Sequence, residues 1–334
     1  MDIYAIKNAE AKLKAGTDSL SWDAETARFL LENGSRFTQS AVRIGVFKNN
    51  RTIFSAWKYQ APSGKEVSLG DKQQLLDSTK VYREQFRVDD VHECGESLHT
   101  ACFNEDCLVV AKDLIDQGYN PAVLNLADAY AACGMYNKGA NAQEESLCRA
   151  STLSQTLYQY YNILWAKKAG VNLREQPAYP MDMRYGCIYS PGVTVFRDGQ
   201  NSGYALREEP FKTSIISLAA LNFREEDQPN NCEYMNPDGG FTPEGVEVMK
   251  DKIRTIFRVA LSNGHDSLVL GAFGCGVFRL PSDVVAGLFH DILDEDEFKG
   301  TFRYVCFAIL ERRKRDGSGL DGKFRAFYQL FDRD

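Results

Sequence analysis

From about residue 91 the chain alternates between apolar runs that suit strands and amphipathic runs that suit helices. Apolar segments such as PAVLNLADA, TSIISLAALN and SLVLGAF are separated by segments such as EDCLVVAKDLIDQG and TPEGVEVMKDKIRTIFRVALSNG. Strands that are apolar throughout are typical of a sheet that helices cover on both faces. The alternation therefore predicts an α/β fold, in which ligands bind where the ends of strands meet loops.

Residues 1–90 follow a different pattern and are predicted to form an N-terminal helical and β extension, with residues 91–334 as the core. SWDAETARFLLENG has the Ser/Asp start and the glycine stop of a short helix. Residues 41–69 contain an Asn-Asn and a Pro-Ser-Gly turn signal between apolar runs, which favours strands. DKQQLLDSTKVYREQF is predicted to be another helix.

Composition narrows the classes of partner. A hydrophobic content of 44% in 334 residues is enough for a large core, and the formal net charge is -7. We therefore expect no long nucleic acid duplex as a partner, because phosphate-driven binding needs a basic face. A small phosphate-bearing ligand stays compatible, since backbone N–H groups can bind it. The chain has no apolar run of 18 residues and no secretory pattern at its start, so we expect no membrane partner and a cytoplasmic or nuclear location.

The nine cysteines are interpreted as buried small hydrophobes, because the count is odd and no secretory signal is seen. A zinc site could be imagined in the segment VHECGESLHTACFNEDC, whose candidate ligands are His92, Cys94, His99, Cys102 and Cys107. Its spacings are irregular and lack a CxxC pair, so a strand followed by a loop with buried thiols is favoured. We expect no metal.

Two glycine-containing loops lie beside groups that could bind or cleave a ligand. The first, CGMYNKGANA, leads into Gln143, Glu144 and Glu145 and then a predicted helix over EESLCRASTLSQTLYQYYNIL. Carboxylates in the first turn of a helix are favoured by its dipole, so capping alone is one explanation. The second loop, GAFGCGVF, follows an apolar strand and precedes a predicted helix, an arrangement that can present N–H groups to a diphosphate. A thiol nucleophile at Cys275 is not favoured, since no histidine is placed as its base.

Taken in order, VLNLADA, the first loop, AQEESLCR, YSPGVTVFRD, SLAALN and LVLGAFGCGVF resemble the poly(ADP-ribose) glycohydrolase family in its microbial-type branch. The resemblance covers roughly residues 91–310. It implies a macrodomain-like three-layer α/β/α fold with a mixed sheet. It also implies hydrolysis of ribose-ribose O-glycosidic bonds, without a metal or cofactor, in ADP-ribose polymers that are free or attached to a modified protein.

The same resemblance implies roles for individual residues. Glu145 would be the general acid that protonates the leaving ribose oxygen and then activates water, and Glu144 would hold the ribose hydroxyls. Phe278 would pack on the terminal ribose. The remaining substrate contacts that it implies are Gln143, Asn125, Asp128, Gly139, Gly271, Gly274, Cys275, Gly276 and Val277.

The chain departs from the family pattern in the first loop. Cys133, Gly134 and Met135 stand where the family has three glycines, Ala132 replaces a proline, and Asp128 stands where asparagine is usual. Side chains at glycine positions could block close approach of the backbone to a ligand. Two alternatives therefore stay open: a hydrolase that removes mono(ADP-ribose), and a catalytically weak ADP-ribose reader.

Overall fold

The computed structural model describes residues 3–88, 94–95, 97–224, 232–313 and 319–332. Within these ranges the helices are α1 Ile3–Ala15, α2 Ala24–Asn33, α3 Arg36–Ala56, α4 Lys72–Asp77, α5 Cys107–Asp116, α6 Gln143–Ala150, α7 Leu153–Tyr158, α8 Ile163–Ala169, α9 Pro243–Ser262, α10 Ser282–Leu293 and α11 Lys323–Phe331. The strands are β1 Lys58–Gln60, β2 Glu66–Ser68, β3 Lys80–Tyr82, β4 His99–Phe103, β5 Pro121–Leu126, β6 Cys187–Arg197, β7 Leu206–Leu218, β8 Ser267–Leu270 and β9 Tyr304–Ala308.

Seven strands form one sheet in the order β3-β6-β7-β5-β8-β9-β4, and β1 pairs with β2 in a separate antiparallel ribbon. β5 runs parallel to β7 and β8, and β9 runs parallel to β8 and β4. The predicted α/β class is confirmed. Because parallel strands end at the same edge of a sheet, residues 127–129 after β5 and residues 271–278 after β8 leave the sheet at one edge.

The chain divides into two compact units, each made of several segments. Unit 1 contains residues 1–80, 130–180 and 190–213, and unit 2 contains residues 81–129, 181–189 and 214–334. Unit 1 has two apolar clusters, one around Leu30 and Val46 and one around Ile53 and Phe196. Unit 2 has a larger core in which the side chains of β5, β7, β8 and β9 pack with the apolar faces of α9 and α10. The boundary predicted near residue 90 would divide the chain into two continuous segments, whereas each of the two units consists of three separate segments.

The strongly periodic elements agree with prediction. The predicted helices over α2, α5, α9 and α10 and the predicted strands over β5 and β8 are all present. Each of these helices begins after an Asp, Thr or Pro residue, and the side chains of Asp23, Asp106 and Thr242 accept a hydrogen bond from a backbone N–H of the first turn. Caps and apolar spacing together therefore define these elements locally.

Three predicted elements are wrong. The strands predicted within residues 41–57 are the helix α3, in which Asn49 and Asn50 are fully buried instead of forming a turn. The helix predicted over residues 71–86 ends at Asp77, and residues 80–82 form β3. The single helix predicted over residues 144–164 is three helices, because the backbone of Ser151 bridges to Val195 and ends α6.

In the described residues, no helix has the length and apolar character needed to cross a bilayer. Cys102 and Cys107 are buried, as predicted, and Cys94 is half-buried. His92, which belongs to the zinc alternative, lies outside the described residues. The described residues contain no group of three or more His, Cys, Asp or Glu side chains that could hold a metal ion.

Candidate active site

The two adjacent carboxylates lie in the first turn of α6 and are buried. Glu144 is 3% exposed and Glu145 is 6% exposed. Glu144 Oε1 accepts a hydrogen bond of 3.2 Å from the backbone N–H of Cys133. Glu145 Oε1 accepts one of 3.0 Å from Met135 N–H, and Glu145 Oε2 accepts one of 3.2 Å from Ala142 N–H. The backbone of the first loop therefore holds both carboxylates.

Capping explains only part of this arrangement. Glu145 caps the N-terminus of α6 through its bond to Ala142 N–H, but Ala142 has no side-chain acceptor to return the bond. Glu144 Oε1 accepts a hydrogen bond from Cys133 N–H, eleven residues earlier in the chain. A buried carboxylate is costly unless it is hydrogen-bonded, and a cap does not require a second one. The pair is therefore consistent with a ligand-binding role in addition to capping.

Gly134 lies against both carboxylates. Its backbone is left-handed, with φ of 53°, and that of Cys133 is left-handed as well, with φ of 65°. A Cβ atom at Gly134 would lie 2.6 Å from Glu145 Oε1 and 3.3 Å from Glu144 Oε2. A side chain at the middle position of the loop would thus be strained by the backbone conformation and would displace Glu145 Oε1.

The side chain of Cys133 points into the protein. It is fully buried, and its thiol is close to the Cys148 thiol and the Tyr158 hydroxyl. Burial raises the pKa of Cys133 and raises that of Cys148 well above its usual value, so both thiols stay protonated near neutral pH. Met135, in contrast, is 55% exposed. Of the two side chains that replace family glycines, only that of Met135 stands on the solvent side of the loop.

Two buried arginines hold the chain just before α6. Arg43 Nε of α3 donates to Gly139 O at 2.6 Å, and Arg149 Nη2 of α6 donates to Ala140 O at 2.7 Å. Gly139 has φ of 75°, and a Cβ atom there would lie 2.5 Å from Ser40 O. The predicted ligand residue Gly139 is thus packed against α3. Arg43 is not predicted from the sequence as a site residue, since it lies in a segment whose pattern favours strands.

Asn125 and Asp128 lie in unit 2, at the end of β5. Asn125 is fully buried, and its Nδ2 donates to Ser217 Oγ on β7 at 3.0 Å, across the register that pairs the two residues. Asp128 is half-buried and follows the strand by two residues. Both polar groups therefore lie at the end of β5, as the sequence predicts, with Asn125 joined to the neighbouring strand.

The second loop presents backbone donors. Gly274 has φ of 74°, and a Cβ atom there would overlap Leu280 and lie 2.8 Å from Ala220 Cβ, so glycine is required for packing. Gly276 faces open space, Val277 is 57% exposed, and the carbonyl of Phe278 accepts a bond from Phe223 N–H at 2.8 Å. Within the described part of the chain, the N–H groups of residues 276–278 donate to no protein acceptor. Such a row of free donors suits an anionic ligand.

Cys275 does not have the character of a nucleophile. Its side chain is 5% exposed, its Sγ lies 3.5 Å from Phe273 O, and burial raises its pKa to about 12. A thiolate is the reactive form of cysteine, so this thiol is inert near neutral pH. Only the backbone of Cys275 remains as a candidate ligand contact.

Comparison with known proteins gives a consistent result. A family model described as the catalytic domain of microbial-type poly(ADP-ribose) glycohydrolase (PARG) matches residues 48–198. PARG from Thermomonospora curvata is 26% identical, with 89% of this chain and 100% of that chain covered and a TM-score of 0.67. The same enzyme bound to the inhibitor ADP-HPD is 27% identical over the same shares, with a TM-score of 0.64. PARG from Deinococcus radiodurans in complex with ADP-ribose is 26% identical, with 79% of this chain and 98% of that chain covered and a TM-score of 0.58. A search of curated proteins found no match.

Residues 48–198 match the microbial-type branch of the PARG family, and the chain is similar to bacterial PARG over most of its length. The macrodomain-like fold implied by the sequence is confirmed by these structural matches. The family match at residues 48–198 includes the whole first loop and α6. In this PARG-like chain the loop is Cys-Gly-Met, with glycine kept at position 134, where a side chain would collide with Glu145.

The predicted site residues fall into two groups, one in each unit. Unit 1 brings together the first loop, Glu144 and Glu145, with Gln143 half-buried beside them and Gly139 turned toward α3. Unit 2 contains Asn125, Asp128 and the second loop. The contacts of each residue with a ligand stay predictions.

Proposed function

We infer that this chain is a poly(ADP-ribose) glycohydrolase-like glycoside hydrolase, which cleaves ribose-ribose O-glycosidic bonds and releases ADP-ribose. The observation that carries the inference is the pair of buried, loop-bound carboxylates at the start of α6, inside the segment that matches the PARG catalytic domain. Glycoside cleavage needs a carboxyl group that gives a proton to the leaving oxygen. The ligand is ADP-ribose or its polymer, free or attached to a modified protein.

In the proposed mechanism Glu145 is the general acid. It donates its proton to the ribose oxygen that leaves as the bond to the anomeric carbon breaks. The resulting carboxylate then takes a proton from water, whose oxygen attacks the anomeric carbon, and Glu145 is restored. Glu144 would accept hydrogen bonds from ribose hydroxyls and thereby fix the sugar. The free N–H groups of residues 276–278 would bind phosphate oxygens.

The first loop favours catalysis over a purely binding role. A reader needs space for ADP-ribose but no buried acid, whereas here both carboxylates are kept and fixed by three backbone hydrogen bonds. The inward side chain of Cys133 leaves the solvent side of the loop free at that position. Removal of mono(ADP-ribose) would use the same acid, so the two hydrolase functions differ only in the leaving group.

The test compares the wild type with Glu145→Gln on poly(ADP-ribose), with a chelator present. Released ADP-ribose is measured by chromatography and ADP-ribose binding by calorimetry. Loss of the proton donor should lower kcat by about 10²–10⁴-fold while ADP-ribose still binds. Glu25→Gln is the matched control, because Glu25 is also in the first turn of a helix but is exposed.

Undiminished turnover by Glu145→Gln would remove Glu145 from the mechanism. Binding by the wild type without release, either from the polymer or from a mono-ADP-ribosylated protein, would mean that the chain is a reader. A cytoplasmic or nuclear location and the division at residue 90 stay predictions.

A further inference from the structure

Unit 1 contains a cavity of about 1160 Å³ that the proposed hydrolase function does not use. It is larger than the roughly 300–1,000 Å³ of most small-molecule sites. Its walls come from α1, α3, α4, α7 and α8, with Tyr136 from the first loop, and do not include Glu144 or Glu145. We refer to it as the basic cavity, for the six basic side chains that line it: Lys14, Lys48, Arg51, Lys72, Lys167 and Lys168.

The charge in the basic cavity is unbalanced. Asp18 is its single acidic lining residue among those the structure describes, although the chain as a whole has a net charge of -7. In the described part of the chain, Lys14, Lys48, Arg51 and Lys167 form no ion pair. Like charges gathered around a concave, low-dielectric wall repel one another and create a strong local potential. Such a potential favours an anionic ligand.

Aromatic rings lie among the cations. Phe47 and Trp165 are half-buried in the wall, with Tyr158 stacked on Trp165 at 5.2 Å and Lys168 Nζ 4.5 Å from the Trp165 ring centroid. Sites that bind nucleotide chains combine a basic groove with aromatic side chains that contact the bases. An inorganic anion has no apolar part that could contact these aromatic rings.

The wall also contains polar groups without protein partners. Gln155 and Ser154 are 2% and 1% exposed, and within the described residues Gln155 Oε1 and Ser154 Oγ have no hydrogen-bond partner. An unsatisfied buried acceptor costs about 1–3 kcal/mol. A small shift of either side chain toward the cavity would let it bond a ligand's amino or hydroxyl groups.

We propose that the basic cavity is a second ligand site, which binds a nucleoside diphosphate moiety. The phosphates would contact Lys48 and Arg51 on α3 and Lys167 and Lys168 on α8, and the base would lie against Phe47 and Trp165. The moiety has two possible sources, a free nucleotide or one unit of an ADP-ribose polymer. The site is separate from Glu145, so it does not depend on the proposed hydrolase activity.

The test measures binding of ADP to the full chain by equilibrium dialysis, since ADP has no ribose-ribose bond to hydrolyse. Two charge-reversed variants, Lys48→Glu/Arg51→Glu and Lys167→Glu/Lys168→Glu, alter different walls of the cavity. Lys7→Glu/Lys65→Glu is the matched control, because it makes the same change in net charge at two exposed lysines outside the cavity. Thermal unfolding checks that all three variants fold.

We expect each cavity variant to lose one equivalent of bound ADP, through an affinity at least tenfold weaker, and the control to keep it. Equal ADP binding by all four proteins would overturn the proposal, as would binding of single-stranded RNA with no measurable binding of ADP.

A second experiment measures binding of short poly(ADP-ribose) to the same variants carrying Glu145→Gln. A weaker affinity in the cavity variants identifies the polymer as the source of the moiety, and an unchanged one identifies a free nucleotide. If ADP binding follows these expectations but the chain has no hydrolase activity, the proposed hydrolase function is refuted and the proposed second ligand site is not.

Discussion

Gly134 and Glu145 are closely packed in the first loop. The missing side chain of Gly134 leaves the space that Glu145 Oε1 occupies, and the left-handed backbone there directs Met135 N–H to the same oxygen. The position of the proposed acid therefore depends on a residue that contributes no side chain.

Gly134→Ala is expected to lower kcat by at least tenfold, because the new Cβ atom would displace Glu145 by pressing on Oε1 from 2.6 Å. Gly118→Ala is the control: Gly118 also has a left-handed backbone, with φ of 86°, but a Cβ atom there would have no other atom within 4 Å. Both variants should lose about 1–2 kcal/mol of stability from the backbone strain alone. Equal activity in the two variants, measured by ADP-ribose release, would show that the contact with Glu145 does not matter.

Glu145 also contributes to stability, since each of its oxygens accepts one backbone N–H. In Glu145→Gln the amide can accept only one of these bonds, and its NH₂ group would face the other donor. The partly buried donor left unpaired is expected to lower the free energy of unfolding by about 1–3 kcal/mol. Urea denaturation of the variant against Glu25→Gln measures this, and a free energy equal to the wild type's would mean that the loop moves to satisfy both donors.

At the scale of elements, α3 shows what the sequence pattern could not predict. Adjacent asparagines favour a turn, but Asn49 and Asn50 are buried in the helix with partners distant in sequence: Asn49 Nδ2 donates to Ser19 O at 2.7 Å, and Asn50 Oδ1 accepts from Arg197 Nε at 2.8 Å. These long-range partners satisfy the buried amides, and the apolar side chains of α3 pack in both clusters of unit 1, so tertiary contacts override the local signal. The helix predicted after the Gln-Glu-Glu signature is likewise too long, because a strand 44 residues later ends it at Ser151.

α3 also positions the first loop, through the bond from Arg43 to Gly139 O. Arg43→Met is expected to remove a charge-assisted hydrogen bond worth about 1.5–3 kcal/mol and to lower kcat by about 10–100-fold, since the chain before α6 would move. A change in kcat with an unaltered KM would identify Arg43 as a positioning residue. Arg36→Met, at the exposed start of the same helix, is the control and should change neither quantity. Loss of stability with a normal kcat would contradict the positioning role.

At the scale of the whole molecule, the fold class and the carboxylate pair could be predicted from the sequence, but the basic cavity could not. The features that could be predicted are local in sequence, so they can be recognised without a structure. They are the strand and helix patterns, the glycine loops and the Gln-Glu-Glu signature. The cations of the basic cavity come from four helices between residues 14 and 168, in a chain whose net charge is negative. Only the tertiary structure brings them together.

Lys252 makes the stability of the molecule depend on pH. It lies on α9 with 2% exposure, and burial lowers its pKa from 10.5 to about 8, although Asp182 and Cys187 act in the opposite direction. Between about pH 8 and pH 10.5 the unfolded chain keeps a proton on this lysine that the folded chain has released. The contribution of Lys252 to the free energy of unfolding therefore rises with pH across this window.

Lys252→Met should remove this contribution. At pH 7 Lys252 is charged in both the folded and the unfolded state, so burying its charge lowers the stability of the wild type. The methionine of the variant buries no charge. The stability of the variant relative to the wild type should therefore fall by up to about 3 kcal/mol between about pH 7 and pH 10.5. Urea denaturation at several pH values measures that difference, in which the titration of all other groups cancels. Lys299→Met, at an exposed position, should keep a constant difference from the wild type. A constant difference for Lys252→Met as well would mean that Lys252 stays charged in the folded protein across the whole range, and that α9 accommodates a buried ammonium group without cost.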